Sequence, residues 1–198
     1  LKEIQKNSSL KETLFAWDMQ LAEYGKRIIS FRKEFINNVS IKAAARHKQI
    51  SSGNEELSVV YVPSAEENDF DIKLQSTLER DIFMGSTSYG PHRDDISFFI
   101  NGNDVRIYGS QGQQRTAAIC AKLAEIDIIK ENTDTSPVLL LDDVLSELDK
   151  TRQHMLMDCI NDVQTIITCT GIEDSITNYA GNAAIFNVNN GVIKRETT

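Results

Sequence analysis

Residues 136–149, SPVLLLDDVLSELD, constrain this chain more than any other stretch. Val138, Leu139, Leu140 and Leu141 are four large apolar residues in a row, and such a run cannot alternate between core and water. It reads as a strand buried on both faces, with helices covering it. Asp142 and Asp143 end the run abruptly. In open α/β sheets ligands bind in the crevice beyond the strand ends. A carboxylate placed there suits a hydrated magnesium ion, a hard cation that takes oxygen ligands. A strand that simply terminates in two solvated acids has the same appearance, because short acidic motifs recur by chance.

The 198 residues suffice for one good core plus an appendage, and the composition is that of a globular protein. A net charge of -8 argues against a surface that coats DNA generally, since non-specific affinity is mostly phosphate neutralisation by Lys and Arg. The charge is uneven. Residues 26–48 hold seven basic residues (Lys26, Arg27, Arg32, Lys33, Lys42, Arg46, Lys48) against one acid, Glu34, a balance of +6. The remainder, with 14 basic and 28 acidic residues, stands at -14. Cys120, Cys159 and Cys169 are widely spaced and have no His cluster beside them, so neither a disulfide framework nor a zinc site is expected. No apolar run reaches membrane-spanning length and no signal peptide is present, which makes the cytoplasm the expected compartment. The chain begins at Leu1 rather than Met, and we expect it to be a piece of something longer.

Ser9-x-x-Glu12 has the capping-box pattern. Leu14, Trp17, Leu21, Ile28, Phe31, Phe35 and Val39 follow at three-and-four spacing, predicting one or two long amphipathic helices whose Phe residues face the core. Ser51-Ser52-Gly53-Asn54 breaks this pattern. A strand over 57–62 ended by Pro63, an acidic loop and a helix over about 70–83 come next. Beyond Gly85 the style changes: β-rich runs at 96–100 and 105–108 flank Asn101-Gly102, a dipeptide that hairpin turns favour. An apolar helix from about Ala117 to Ile128, a helix over about 150–161, a second buried strand at 165–168 and weaker strands at 184–188 and 192–194 complete the series. Alternation of strand and helix from Ser110 onward predicts an α/β, partly parallel sheet layered with helices. The expected division is a helical subdomain with one short strand over 1–83 and the layered unit over 84–198.

Ser110-Gln111-Gly112-Gln113-Gln114-Arg115 opens the apolar helix, 32 positions before Asp142. Free amides and the dipole of a helix start favour an anion, Ser110 offers a hydroxyl, and Gly112 admits close approach of backbone. A serine cap with a polar first turn is the structural alternative. Gly90-Pro91-His92-Arg93-Asp94-Asp95 reads as a rigid turn before a strand, with Arg93 paired to a neighbouring acid or directed at phosphate.

Taken together, the Ser-x-Gly-Gln helix start, the strand ending Asp-Asp, and Ser146-Glu147-Leu148-Asp149 resemble the signature loop, Walker B and D-loop of ATP-binding-cassette ATPases. With Gly90 to Asp95 and Lys122-Leu123-Ala124-Glu125-Ile126, the wording is most similar to the RecF family of DNA repair ATPases, over about 85–171 and more weakly over the helical region before it. The resemblance implies the second lobe of an ABC-type ATPase head plus an N-terminal helical subdomain. It implies that Asp142 holds magnesium through water, that Asp143 polarises the attacking water, and that Ser110, Gln111, Gly112 and Gln113 meet the γ-phosphate of ATP held by a partner protomer. Ser146 to Asp149, Asp149 included among the nucleotide-binding residues, would lie along the dimer contact. The superfamily more often uses Glu at the Asp143 position, so slow hydrolysis is expected. The family further implies ATP-dependent dimerisation and DNA binding, work with RecR and RecO at single-strand gaps to load RecA, and a part in replication, recombination and the SOS response to DNA damage. Under that reading the basic stretch 26–48 contacts DNA backbone, and the alternative is a solvated helix face.

Two departures accompany the resemblance. A Walker A loop needs Gly-x4-Gly-Lys-Ser/Thr, and the one glycine pair at that spacing, Gly85 and Gly90, is followed by Pro91-His92. The family places that loop upstream, so this chain resembles a C-terminal fragment, inactive as an ATPase by itself. Second, Thr168-Cys169-Thr170 stands where many relatives have a His after the strand following Walker B. The competing class is a non-catalytic α/β interaction scaffold, and an SMC-type head would require longer heptad repeats than the helical region supplies.

Overall fold

The computed structural model describes residues 1–133, 135–170 and 183–195. Helix α1 (Lys2–Lys6) and a 3-10 segment (Ser8–Thr13) lead into α2 (Leu14–Ile50), then strand β1 (Leu57–Val62), α3 (Phe70–Ser76) and α4 (Leu78–Met84). Strands β2 (Asp95–Ile100) and β3 (Asn103–Asp104), the turn-length α5 (Val105–Tyr108), α6 (Gln111–Thr133) and β4 (Leu139–Asp142) follow. The described chain closes with α7 (Lys150–Cys159), β5 (Thr165–Thr168), β6 (Phe186–Asn189) and β7 (Val192–Arg195). Residues 171–182 and 196–198 of the second expected unit lie outside the described residues.

Helix α2 contains no proline and runs for 37 residues, about 55 Å at the usual helical rise. Gly25 interrupts neither its backbone nor its packing: a Cβ there would lie 2.2 Å from the ring of Phe70, which is fully buried against it. The helix ends in a Schellman motif. Ser52 is left-handed (φ 55), Gly53 N–H donates to Lys48 O at 2.8 Å and Ser52 N–H to Gln49 O at 3.4 Å. Its buried face runs through Ile29, Ile36, Val39, Ala43 and Ile50. The apolar stripe read from the sequence lies largely on the other side, and Trp17 (66% exposed), Phe31 (68%) and Phe35 are not core residues. Helical spacing fits two faces of such a helix, and the one carrying the small residues Gly25 and Ala43 permits close approach. Ser9 does not cap α2 either; it donates to Asn7, which caps the 3-10 segment.

Three further expectations change. The helix over 70–83 is two helices, because Thr77 (φ -106) turns its hydroxyl to Lys73 O and to the buried Asp81. Residues 105–108 are helical rather than extended: Asp104 caps the turn through Arg106 N–H, and Gln114 donates to Val105 O and Gly109 O. Strand β4 is buried on one face only, with Leu139 and Leu141 inside and Leu140 69% exposed. Its outward face has no covering layer among the described residues.

Strand β1 pairs antiparallel with β2 along its length, and β2 with β3, so residues from both sides of position 84 share one sheet. Strands β4 and β5 pair in parallel, with α7 as the crossover that parallel strands require. Strands β6 and β7 form a separate antiparallel pair. One core, with Ile36, Leu57, Leu123, Leu141, Leu145 and Leu156 among its members, joins α2, the antiparallel sheet, α6, β4 and α7. The architecture is therefore layered α/β, with a parallel pair whose strand end carries the acids.

Candidate functional site

The parallel register sets Asp142 opposite Thr168 at the end of β4 and β5. Thr168 Oγ1 donates to Asp142 Oδ1 and accepts from Asp143 N–H at 3.2 Å, while Thr168 O accepts from the same amide at 3.1 Å. The hydroxyl at the position where a His was absent from the sequence is thus turned onto the Asp142 carboxylate and the Asp143 amide. Asp143 has a left-handed backbone (φ 52), a conformation that Asp tolerates better than most side chains. Both carboxylates are exposed, and that of Asp143 has no hydrogen bond or ion pair among the described residues.

The next residues are fastened from inside. Ser146 Oγ donates to Asp143 O at 2.9 Å, and Leu145 is fully buried. Gln153, buried on α7, donates to Leu145 O at 2.7 Å and Leu148 O at 3.1 Å. Asp149 caps α7, accepting from Arg152 N–H at 3.0 Å. A buried amide that satisfies two loop carbonyls is worth more than its own bonds, because losing it strands both acceptors.

At the start of α6 the capping alternative is realised in full. Ser110 Oγ accepts from Gln113 N–H at 3.2 Å, and Gln113 Oε1 accepts from Ser110 N–H at 2.9 Å, a reciprocal capping box. The Ser110 hydroxyl proton is left to donate outward, and the amides of Gln111 and Gly112 have no acceptor among the described residues. Gln113 points inward: its Nε2 donates to Glu55 Oε1 at 2.8 Å. Three donors at a helix start, with its positive dipole end, suit an anion, and Gln113 braces them rather than pointing with them.

The two motifs are joined. A Cβ on Gly112 would lie 2.7 Å from Arg152 Nη1, so the glycine makes room for α7 as well as for any ligand. Arg152 lies 3.6 Å from Asp149 and 3.5 Å from Glu55. His47 on α2 is fully buried, 3.5 Å from Glu55, and desolvation holds its imidazole below the ordinary histidine range despite that carboxylate. Glu55, Arg152 and Gln153 carry no motif in the sequence. Only the SxxQ spacing of the capping box was there to be read.

In the turn 90–95 Asp94 is the buried member, accepting from Ser64 N–H at 2.8 Å, from the Tyr61 hydroxyl and from Arg32. Burial, with Asp94 next, pushes the Tyr61 phenol up to about 12. Arg106 takes Asp95 at 3.2 Å, so Arg93 pairs with neither acid and stands exposed. Of the seven basic residues over 26–48, five face acids of the same chain: Lys26 with Asp71, Arg32 with Asp94, Lys33 with Glu66 at 3.7 Å, Lys42 with Glu131 at 2.5 Å and Arg46 with Asp127 at 2.6 Å. The Asp127 hydrogen bonds raise the Arg46 guanidinium further. Among the described residues Arg27 and Lys48 are without such a partner. Two open grooves of about 490 and 440 Å³ flank Arg46, and neither is lined by Asp142, Asp143 or the start of α6.

Among the described residues no three His, Cys, Asp or Glu side chains form a metal cage. Asp142, with an oxygen beyond the one bonded to Thr168, fits the single carboxylate that magnesium commonly takes when water and phosphate supply the rest. No described helix is long and apolar enough to cross a membrane.

No protein-family model matches the chain. It is 50% identical over 195 residues to the DNA replication and repair protein RecF of Lachnoclostridium phytofermentans, covering 98% of this chain and 54% of that protein. With RecF of Lachnospira eligens the identity is 48% over 190 residues, covering 96% and 52%. The chain spans about half the length of the curated relatives it matches. A structure of the recombination mediator protein RecF with ATP, from the RecFOR pathway, superimposes with TM-score 0.78 and 34% identity over 99% of this chain and 53% of that one. An SMC ATPase structure, from work on ATP-driven dimerisation and DNA-stimulated activation, shares the fold at TM-score 0.53 and 16% identity, over 85% of this chain and 88% of that one.

Proposed function

Because the chain belongs to the RecF family of DNA replication and repair proteins and corresponds to the C-terminal part of RecF, we propose that it supplies the lobe that closes on a partner's ATP. The observation that carries this reading is the open donor set of Ser110, Gln111 and Gly112, held by its capping box, in a chain that also presents an exposed pair of acids at the end of β4. Ser110 Oγ–H and the two amides hydrogen-bond the γ-phosphate bound by the other protomer. Gln113 keeps them in place. Asp143 accepts a hydrogen bond from the attacking water and orients it, and Asp142 holds the hydrated magnesium. The ion, when bound, neutralises charge that develops on the phosphate oxygens. Thr168 fixes the Asp142 carboxylate and the Asp143 amide, so neither reorganises as water is placed.

In this reading ATP binds more tightly to the closed dimer than to either monomer, and that difference is what drives closure. The dimer engages DNA by its backbone in the cytoplasm and acts with RecR, RecO and RecA. Arg27 and Lys48, without an acid partner among the described residues, are the first candidates for phosphate contact, with Lys26, Arg32, Lys33, Lys42 and Arg46 contributing only if their present acids release them. The capping box favours the alternative of a non-catalytic scaffold, since it gives Ser110 a structural task.

Ser110→Arg in the full-length protein separates the two. ATP-dependent dimerisation, followed by light scattering with ATP and magnesium, is expected to be lost. Asp143→Asn is expected to lower phosphate release at least about 100-fold while the ATP-bound dimer persists. A Ser110→Arg dimer that forms as in wild type would leave the scaffold.

A further inference from the structure

Glu55 lies in the six-residue connection between α2 and β1, and its side chain is 16% exposed. Three elements converge on it. Gln113 of α6 donates to Oε1 at 2.8 Å, Arg152 of α7 stands 3.5 Å from that oxygen, and His47 of α2 stands 3.5 Å from Oε2. Among the described residues neither His47 nitrogen nor Glu55 Oε2 has a hydrogen-bond partner, so this pocket is polar without being saturated.

The backbone that carries Glu55 is fixed on both sides. Before it stands the Schellman turn of α2, and Ser51 Oγ donates to Glu55 O at 3.5 Å. After it, Glu56 N–H donates to the Asn101 side chain and Glu56 O accepts from Asn101 N–H, each at 2.9 Å. Glu55 therefore presents its carboxylate from a rigid base. Arg152 is held between that carboxylate, Asp149 and the Cβ-free face of Gly112. Removing a buried carboxylate leaves its cationic and amide partners unpaired, which is costly.

We propose that Glu55 is a positioning residue that locks the phosphate-facing turn of α6 to α7 and the loop before it, and makes both answer to the end of α2. This rests on the reading of 110–113 as the element that meets the partner's nucleotide. Glu55 itself touches no ligand. It acts through Gln113, whose other amide atom holds Ser110, and through Arg152, which abuts Gly112 and lies 3.6 Å from the capping Asp149. A shift of α2 at its C-terminal end thereby reaches the nucleotide-facing turn and the dimer-facing loop together.

The test uses full-length protein with Glu55→Ala, the near-isosteric Glu55→Gln, and Ser110→Arg as reference. Nucleotide affinity of the monomer is read with a fluorescent ATP analogue at protein concentrations too low to dimerise, and dimerisation by light scattering in ATP and magnesium. For Glu55→Ala the expected result is monomer affinity within twofold of wild type and at least a tenfold higher protein concentration at the dimer midpoint. Glu55→Gln, which keeps the acceptor for Gln113 and loses the charge beside Arg152, is expected to recover part of that loss. Glu55 variants that dimerise as wild type while Ser110→Arg does not would overturn the proposal alone. Glu55→Gln that loses monomer affinity and dimerisation in equal measure would also overturn it, as damage to the fold. Unchanged dimerisation in Ser110→Arg would remove the reading beneath it.

Discussion

The start of α6 and the end of β4, to which we assign one task, are built under opposite conditions. At α6, Ser110 and Gln113 bond each other, Gln113 bonds Glu55, Gln114 clamps the preceding turn and Arg152 fills the space beside Gly112. At β4, one side-chain hydrogen bond, from Thr168, reaches Asp142, and the Asp143 carboxylate has none among the described residues. Dipoles and neutral donors recognise an anion only when already aimed, so their frame must be built in advance. Carboxylates that hold a hydrated ion or a water need room instead. Among the described residues the inner face of β4 is core, while Leu140 on its outer face is 69% exposed and the neighbouring Ile166 55%.

The largest test of this contrast compares the faces of β4. Leu141→Ala should cost about 2–5 kcal/mol in urea unfolding of this chain, the usual range for a buried leucine, and Leu140→Ala about 0.5 kcal/mol or less. Equal costs would mean that the outer face is covered. Gln113→Ala comes next, at about 2 kcal/mol, because it removes half the capping box and leaves Glu55 short of a donor. Thr168→Val should cost no more than about 1 kcal/mol in the same measurement, yet raise the magnesium concentration needed for phosphate release by the full-length protein. A stability loss as large as that of Gln113→Ala would contradict the open character of the acid site.

The smallest effect is one of pH. His47 is buried, with Glu55 and Arg152 facing it, and its folded pKa lies below the unfolded one. The unfolded chain therefore takes up the proton first, and stability is retained above about pH 6.5 and falls as pH drops below it. Denaturant midpoints across pH 7.5 to 5 should show this slope, and His47→Gln should flatten it. A slope that survives the substitution would move the titrating group elsewhere.

Much of the acid site was legible in the sequence, since an apolar run ending in Asp-Asp specifies a strand and its end whatever surrounds it. That β4 has one open face was not, because a four-residue run does not record how many layers cover it. Asp104 and Gln114 turned residues 105–108 from strand to helix through bonds that β propensity ignores. Trp17, Phe31 and Phe35 satisfied helical spacing on a face that the small residues do not share. Glu55 and Arg152 meet across 97 positions, and nothing local marks either. Long-range polar pairing is where sequence reading is weakest, and it is what assembles the frame of the candidate site.

By its length, helix α2 also sets a geometric ratio between its two ends. As an unbroken rod of about 55 Å, it converts a displacement of about 1 Å at its Leu14 end into a tilt of about one degree at its Ile50 end. Such leverage works in both directions. Force applied to the distant tip arrives at the base as torque with small travel, while a rotation of about one degree at the base moves the tip by about 1 Å.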